Sequence, residues 1–222
     1  MTTSQPFRRV EVAPERLARW LATFAERHGG VRVEPSPGLV TVLAGDGSVA
    51  RVEVPSPPLA GAADADPVDR LVRHASRERR LGLLLVRRGG YAAGVVVGPR
   101  VVASKVGRRH VQGRSAAGGW SQQRFARRRE GQAHEAAQAA VEAAVRVLLP
   151  EAGGLEELVT GGDRDMLAEV LADRRVAPLR PLVSARVLAV PDPRRDVLEA
   201  CAAQVRAVQV DVHDVLRDAA RP

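Results

Sequence analysis

Gly118-Gly119-Trp120-Ser121-Gln122-Gln123 joins an arginine-studded segment to a long alanine-rich one. A glycine pair lets backbone approach a ligand closely, and a glutamine amide both donates and accepts hydrogen bonds without ionising. Together they suit the positioning of a water for hydrolysis beside phosphates. The surroundings point the same way: from Arg79 to Arg129 there are thirteen Lys or Arg and no Asp or Glu, and acids resume at Glu130. A single-sign block inside a folded segment is the electrostatic footprint of a polyanion partner, of which nucleic acid is the commonest. The plainer alternative is a solvated basic face, which would spread its charge evenly instead of gathering it around a Gly-Gly loop.

The elements flanking this loop are readable. Downstream, Gln122 to Leu148 is predicted as a helix with Ala133, Ala137, Ala140, Val141, Ala144, Val145 and Leu148 on its apolar stripe, ended by Pro150 and Gly153-Gly154. Its first turns carry Arg124, Arg127, Arg128 and Arg129. Cations there oppose the helix macrodipole by roughly 0.3 to 1 kcal/mol each, an arrangement that makes sense if an anion binds where helix N–H groups and arginines converge. Ser121 is the expected N-cap, and Phe125 is expected in the core under the loop. Gln132, His134 and Glu135 read as a solvated helix face. Upstream, Leu81–Val86 and Ala92–Val97 form a hairpin around Arg87–Tyr91, and Val101–Val106 follows as a third strand.

The remaining chain supplies a small first lobe and a second α/β stretch. A helix from Ala13 to Arg27 is followed by strands at Val31–Glu34, Leu39–Leu43 and Val49–Val54. Pro55-Ser56-Pro57-Pro58-Leu59-Ala60-Gly61 is the best linker candidate, and Asp66-Pro67 opens a helix through about Arg77. Beyond the long helix come a strand at Leu155–Val159, a helix from Asp163 to Asp173, a strand at Ala185–Val190, a helix from Pro193 to Ala203 and a closing strand at Val205–Val212. The expectation is an α/β fold (α+β, mixed sheet), with a helix and β-hairpin lobe at 1–58 and a second domain at 59–222 that carries the basic Gly-Gly loop at 107–129.

Composition narrows the function classes. The 222 residues carry 34 Lys or Arg against 26 Asp or Glu, a formal charge of +8, and Lys105 is the only lysine. No run approaches the roughly 20 apolar residues of a membrane span, and the N-terminus lacks the apolar run of a signal peptide, so a cytoplasmic protein is expected. Cys201 stands alone and is read as a semi-buried thiol, while His28, His74, His110, His134 and His213 show no metal-ligand spacing. His110 is read as a phosphate or structural contact in preference to a general base. A nuclease is disfavoured, because the basic block has no acid and Asp163, Asp165, Asp173 and Asp192 form no recognisable metal set. No nucleotide-binding glycine fingerprint follows a strand, so no cofactor is expected.

The segment from Lys105 through Arg129 resembles the catalytic loop and following helix of the middle domain of archaeal and eukaryotic class I release factors. It is similar more closely to the actinobacterial release-factor-like peptidyl-tRNA hydrolases, relatives of the ribosome quality-control hydrolases of yeast and animals. The likeness spans about Leu59 to Val212. It implies that 59–222 is a release-factor middle-domain-like catalytic domain that hydrolyses the ester between a nascent peptide and the 3′-terminal adenosine of tRNA. The implied partners are peptidyl-tRNA and the ribosome, chiefly the large subunit and its RNA. Gly118 and Gly119 would shape the loop and a glutamine would orient the water. Release factors place Gln directly after the glycines, whereas Trp120 and Ser121 intervene here. Gln122 is therefore the first candidate and Gln123 the second. Lys105, Arg108, Arg109, Arg114, Arg124, Arg127 and Arg128 would hold RNA phosphates, and Trp120 would stack on a base or serve as a core anchor. A non-catalytic RNA- or ribosome-binding module of the same fold is the alternative.

Overall fold

The computed structural model describes residues 7–108 and 121–216; within the helix that opens at Ser121, side chains are described at 131 and from 134 onward. The described chain forms two compact units, one of residues 1–77 with 206–222 and the other of residues 78–205. Each unit is built on its own five-stranded sheet.

The first unit contains β1 (Arg8–Val12), α1 (Pro14–Arg27), β2 (Val31–Pro35), β3 (Leu39–Ala44), β4 (Val49–Glu53) and α2 (Pro67–Ser76), closed by β10 (Val208–His213). The strand order is β1-β10-β4-β3-β2, antiparallel throughout. Period-two alternation puts Val40, Val42, Ala50, Val52, Val208, Val210 and Val212 on one face. There they meet Leu17, Leu21 and Phe24 of α1 and Leu71 and Ala75 of α2. Leu17, Leu21 and Phe24 recur at helical spacing, which is why α1 buries one stripe. Asp66 caps α2 by accepting from Asp69 N at 2.9 Å.

This division differs from the expected boundary after residue 58. Both ends of the Pro-rich segment are tied to α2: His74 accepts from Ala60 N at 3.1 Å on Nδ1 and lies 2.7 Å from Pro55 O on Nε2. The closing strand pairs with β1 and β4, not with the later strands. β1 was not anticipated, because Arg8-Arg9-Val10-Glu11-Val12 has little apolar character until it is paired. The mixed sheet expected of the second domain is present, and the first lobe carries a five-stranded sheet of its own where a hairpin was expected.

The second unit contains β5 (Arg80–Arg87), β6 (Gly90–Val97), β7 (Arg100–Arg108), α3 (Ser121–Val147), β8 (Glu157–Gly162), α4 (Arg164–Ala172), β9 (Val183–Leu188) and α5 (Arg195–Arg206). A 3-10 stretch over Arg174–Leu182, not anticipated because Pro178 and Pro181 interrupt it, leads into β9. The order is β7-β6-β5-β8-β9, with β7, β6 and β5 antiparallel and β5, β8 and β9 parallel. Strand β5 is central and buried on both sides, which explains its unbroken apolar run. Leu84 and Val86 face α3 and α4, whereas Leu81, Leu83 and Leu85 face α5. Fully burying each such leucine is worth about 1.5–3 kcal/mol. The later elements lie near their expected positions, although β8, β9 and α5 are each shifted by about two residues from the expected spans.

Candidate functional site

The hairpin β6–β7 and the helix α3 hold the two ends of the Gly-Gly segment. Strand β7 ends at Arg108 and α3 begins at Ser121. Their mutual position is set by apolar packing: Ala136, Ala137, Ala140, Val141 and Ala144 of α3 are buried against a cluster that includes Ala93 and Val95 of β6. Small side chains on both sides allow close approach of helix and sheet. On the other flank, His134 Nδ1 meets Glu169 Oε1 of α4, and Arg175 Nη2 donates to Gln138 Oε1 at 3.0 Å. Polar ties thus fix the outer side of α3 as burial fixes its inner side.

The last turn of β7 is built around a ring on a glycine. Tyr91 pairs with Gly107, and any Cβ on Gly107 would lie 2.3 Å from Tyr91 Cζ. Only glycine leaves room for the ring, which in turn packs against the α3 cluster. An extra residue in β7 sits between Val101 and Ala103, opposite the Val95/Val96 step, and leaves Val102 exposed.

Two of the expected RNA-binding residues lie on opposite faces of the sheet. Lys105 pairs with Ala93 and shares the α3 face of the sheet; Arg108 pairs with Gly90 and shares the opposite, α5 face. Both are exposed. Three residues apart on a strand, they project to opposite faces of the sheet. Gln122, Gln123, Arg124, Arg127 and Arg128 lie on the opening turns of α3, which carry no acidic residue in the first turn. Ser121 is the first helical residue, one position inside the expected cap. The side chains of Gln122, Gln123, Arg124, Phe125, Arg127 and Arg128 lie outside the described ones, and Arg109, His110, Arg114, Gly118, Gly119 and Trp120 lie outside the described residues.

Asp163, Asp173 and Asp192 make local structural contacts. Asp163 caps α4, accepting from Asp165 N at 3.1 Å and Met166 N at 3.2 Å. The Arg175 side chain and backbone N–H hold the Asp173 carboxyl down at about 2. Asp192 stands 3.6 Å from Arg87 Nε. No group of three or more His, Cys, Asp or Glu among the described residues could hold a metal. Cys201 is buried, more fully than expected, and desolvation pushes its thiol pKa up. His134 and Glu135 are exposed as anticipated. No helix among the described residues is long and apolar enough to cross a membrane.

Sequence reasoning missed one basic group. Arg88 heads the β5–β6 turn and Arg194 precedes α5, and both are exposed. Nothing local marks them, since they stand 106 positions apart in the chain.

The archaeal translation termination factor aRF1 is 16% identical over 91% of this chain and 68% of its own, with a TM-score of 0.42. The Vms1 mitochondrial localization core is 10% identical over 77% of this chain and 75% of its own, with a TM-score of 0.40. Archaeoglobus fulgidus Pelota is 13% identical over 90% of this chain and 62% of its own, with a TM-score of 0.28. No curated protein matches in sequence. The Actinobacteria/chloroflexi VLRF1 release factor family matches residues 79–211, a span that takes in the three-stranded hairpin array, the basic segment and α3, and the chain belongs to that family.

Proposed function

We propose that this protein is a peptidyl-tRNA hydrolase acting on ribosomes in rescue or quality control, in the cytoplasm. The observation that carries this reading is the start of α3 at Ser121, which puts Gln122 and Gln123 in the first turn of a helix otherwise held firmly by the sheet and α4. The first four N–H groups of a helix lack intrahelical acceptors, so this turn offers backbone donors as well as amide side chains. Family membership and the acid-free basic block support the same assignment.

In the proposed reaction, water attacks the ester carbonyl joining the peptide to the tRNA 3′-terminal ribose. The Gln122 amide or backbone N–H orients that water and stabilises charge developing on the carbonyl oxygen. The ester C–O bond breaks, the ribose oxygen takes a proton, and the peptide leaves as a carboxylic acid. No ionising side chain is required of the loop. Gly118 and Gly119 let the backbone approach the ester. Lys105, Arg109, Arg114, Arg124, Arg127 and Arg128 bind RNA phosphates of the tRNA and large subunit, Trp120 stacks on a base, and Arg108 acts from the other face of the sheet.

The test is peptide release from stalled ribosomal complexes carrying labelled peptidyl-tRNA. Wild type and Gln123→Ala are expected to release peptide, and Gln122→Ala to lose release by about 100-fold or more, the scale of removing one preorganised donor. Loss in Gln123→Ala instead would move the role by one residue. Ribosome binding without release by wild type would make the protein a non-catalytic RNA-binding module.

A further inference from the structure

The α5 side of the second sheet carries a basic surface that the glutamine-bearing side does not include. Arg108 ends β7 on this face. The chain just before α5 docks against the hairpin there: a Cβ on Gly90 would lie 2.9 Å from Gly107 O and 3.1 Å from Pro193 O, and one on Gly89 would lie 2.5 Å from Asp192 Oδ2. Arg88 and Arg194 adjoin these close approaches and Arg108 pairs with Gly90, so the three backbone positions meet at the hairpin end of the sheet. Arg195 pins the arrangement, donating from Nη1 to Ser104 Oγ at 3.0 Å and from Nε to Glu199 Oε1 at 2.8 Å.

The charges here fall into two kinds. Arg87 is engaged by Val190 O and Asp192, and Arg195 by Ser104 and Glu199. Asp196 is an exposed acid in the first turn of α5. Arg88, Arg108 and Arg194 are exposed, and no ion pair or hydrogen bond joins their side chains to a described residue. Three arginines gathered by tertiary structure without carboxylate partners gain nothing for the fold and repel one another. Their planar forks suit phosphate.

We propose that Arg88, Arg108 and Arg194 form a second RNA-binding surface that takes consecutive phosphates of the tRNA acceptor arm. The proposal rests on the reading of the protein as acting on peptidyl-tRNA: Arg108 is the last residue before the segment that carries Gly118 and Gly119, so RNA whose 3′ end reaches that segment has its next phosphates to place. The surface fixes the acceptor arm by its backbone alone, without reading sequence.

The experiment uses the full chain and compares Arg88→Ala/Arg194→Ala with Arg146→Ala/Arg174→Ala, which removes the same charge from exposed positions on the α3 side. Binding to fluorescent deacylated tRNA and to large subunits free of tRNA is measured across a salt series, with peptide release followed in parallel. Arg88→Ala/Arg194→Ala is expected to flatten the slope of log K against log salt for tRNA by about 1.5, the share of two phosphate contacts, and to leave large-subunit binding unchanged. The control pair should leave the tRNA slope within about 0.3. Equal flattening by both pairs, an unchanged slope, no tRNA binding by wild type, or a loss confined to large subunits overturns the proposal. Release that continues with an unaltered tRNA slope would sink this surface and leave the hydrolase reading standing; a flattened slope without any release by wild type would do the reverse.

Discussion

Arginine is put to opposite uses in the two units. On the outer face of the first sheet, Arg9 donates to Asp211 Oδ1 at 2.8 Å, Gln209 Oε1 at 2.7 Å and Glu53 Oε1 at 2.7 Å, a lattice spanning β1, β10 and β4. Asp211 is correspondingly held below the usual carboxylate range by the Arg9 hydrogen bond. Arg51 of the same face stacks 4.2 Å from the centroid of Phe7. At the hairpin end of the second unit, Arg88, Arg108 and Arg194 have no such partners among the described residues. Cross-strand pairing turns charge into a modest stabilising term; charge left unpaired is available to a ligand. The same residue type therefore reports stability in one place and recognition in the other.

The sheets differ in the same sense. The first is covered on one face and polar on the other, whereas the second is buried on both by α3 with α4 and by α5. If two-sided burial sets the second sheet apart, changes inside it must exceed any on the outer face of the first. Gly162 pairs with Val86 at φ +110°, and a Cβ there would stand 2.1 Å from Val86 O. Gly162→Ala is expected to cost about 3 kcal/mol or more in urea denaturation, from backbone strain and overlap together; Leu84→Ala should fall at about 2–5 kcal/mol. A cost under 1 kcal/mol for both would remove the distinction.

Next in size, His74→Ala should destabilise by about 1–3 kcal/mol, since it removes the hydrogen bonds of His74 with Ala60 N and Pro55 O. It should also make the 55–61 segment a preferred site of limited proteolysis; an unchanged digestion pattern would restore that segment as a plain linker.

Smaller still is the direct comparison of arginines. Arg9→Ala is expected to cost under about 1 kcal/mol, the range for exposed ion pairs, less at high salt, and to leave RNA affinity unchanged. Arg88→Ala should leave stability within about 0.5 kcal/mol while weakening RNA binding. The opposite assignment of effects would erase the contrast between the two units.

The smallest effect is a pH dependence. Asp173 is depressed to about 2 by Arg175, against about 3.9 for an unfolded aspartate. A depressed folded value means its stabilisation is fully present above about pH 4 and is lost as pH falls through about 2. Arg175→Ala should bring the Asp173 titration, followed by NMR, back toward 4; a midpoint that stays near 2 would assign the shift to backbone donors alone.

Much of this was legible locally. The stripe of α1, the caps at Asp66 and Asp163, the β5–β6 hairpin and the alanine face of α3 all follow from spacing within a few residues, because helix and hairpin contacts are short in sequence. The acid-free block and the Gly-Gly-Trp-Ser-Gln-Gln run likewise marked the candidate site and carried the family resemblance. What stayed hidden depends on long-range pairing. Val208–His213 alternates like any strand, and only pairing with β1 and β4 shows that it completes the first sheet. The buried His74 became a clamp only when α2 met the Pro-rich segment. Strand parity separated Lys105 from Arg108, and docking of the segment before α5 on Gly89 and Gly90 brought Arg88 near Arg194. Residue type and periodicity act over one turn or one hairpin, so the sequence by itself determined the elements and the chemistry they could carry. Which elements share a sheet, and which charges share a face, is decided by burial that no local window contains.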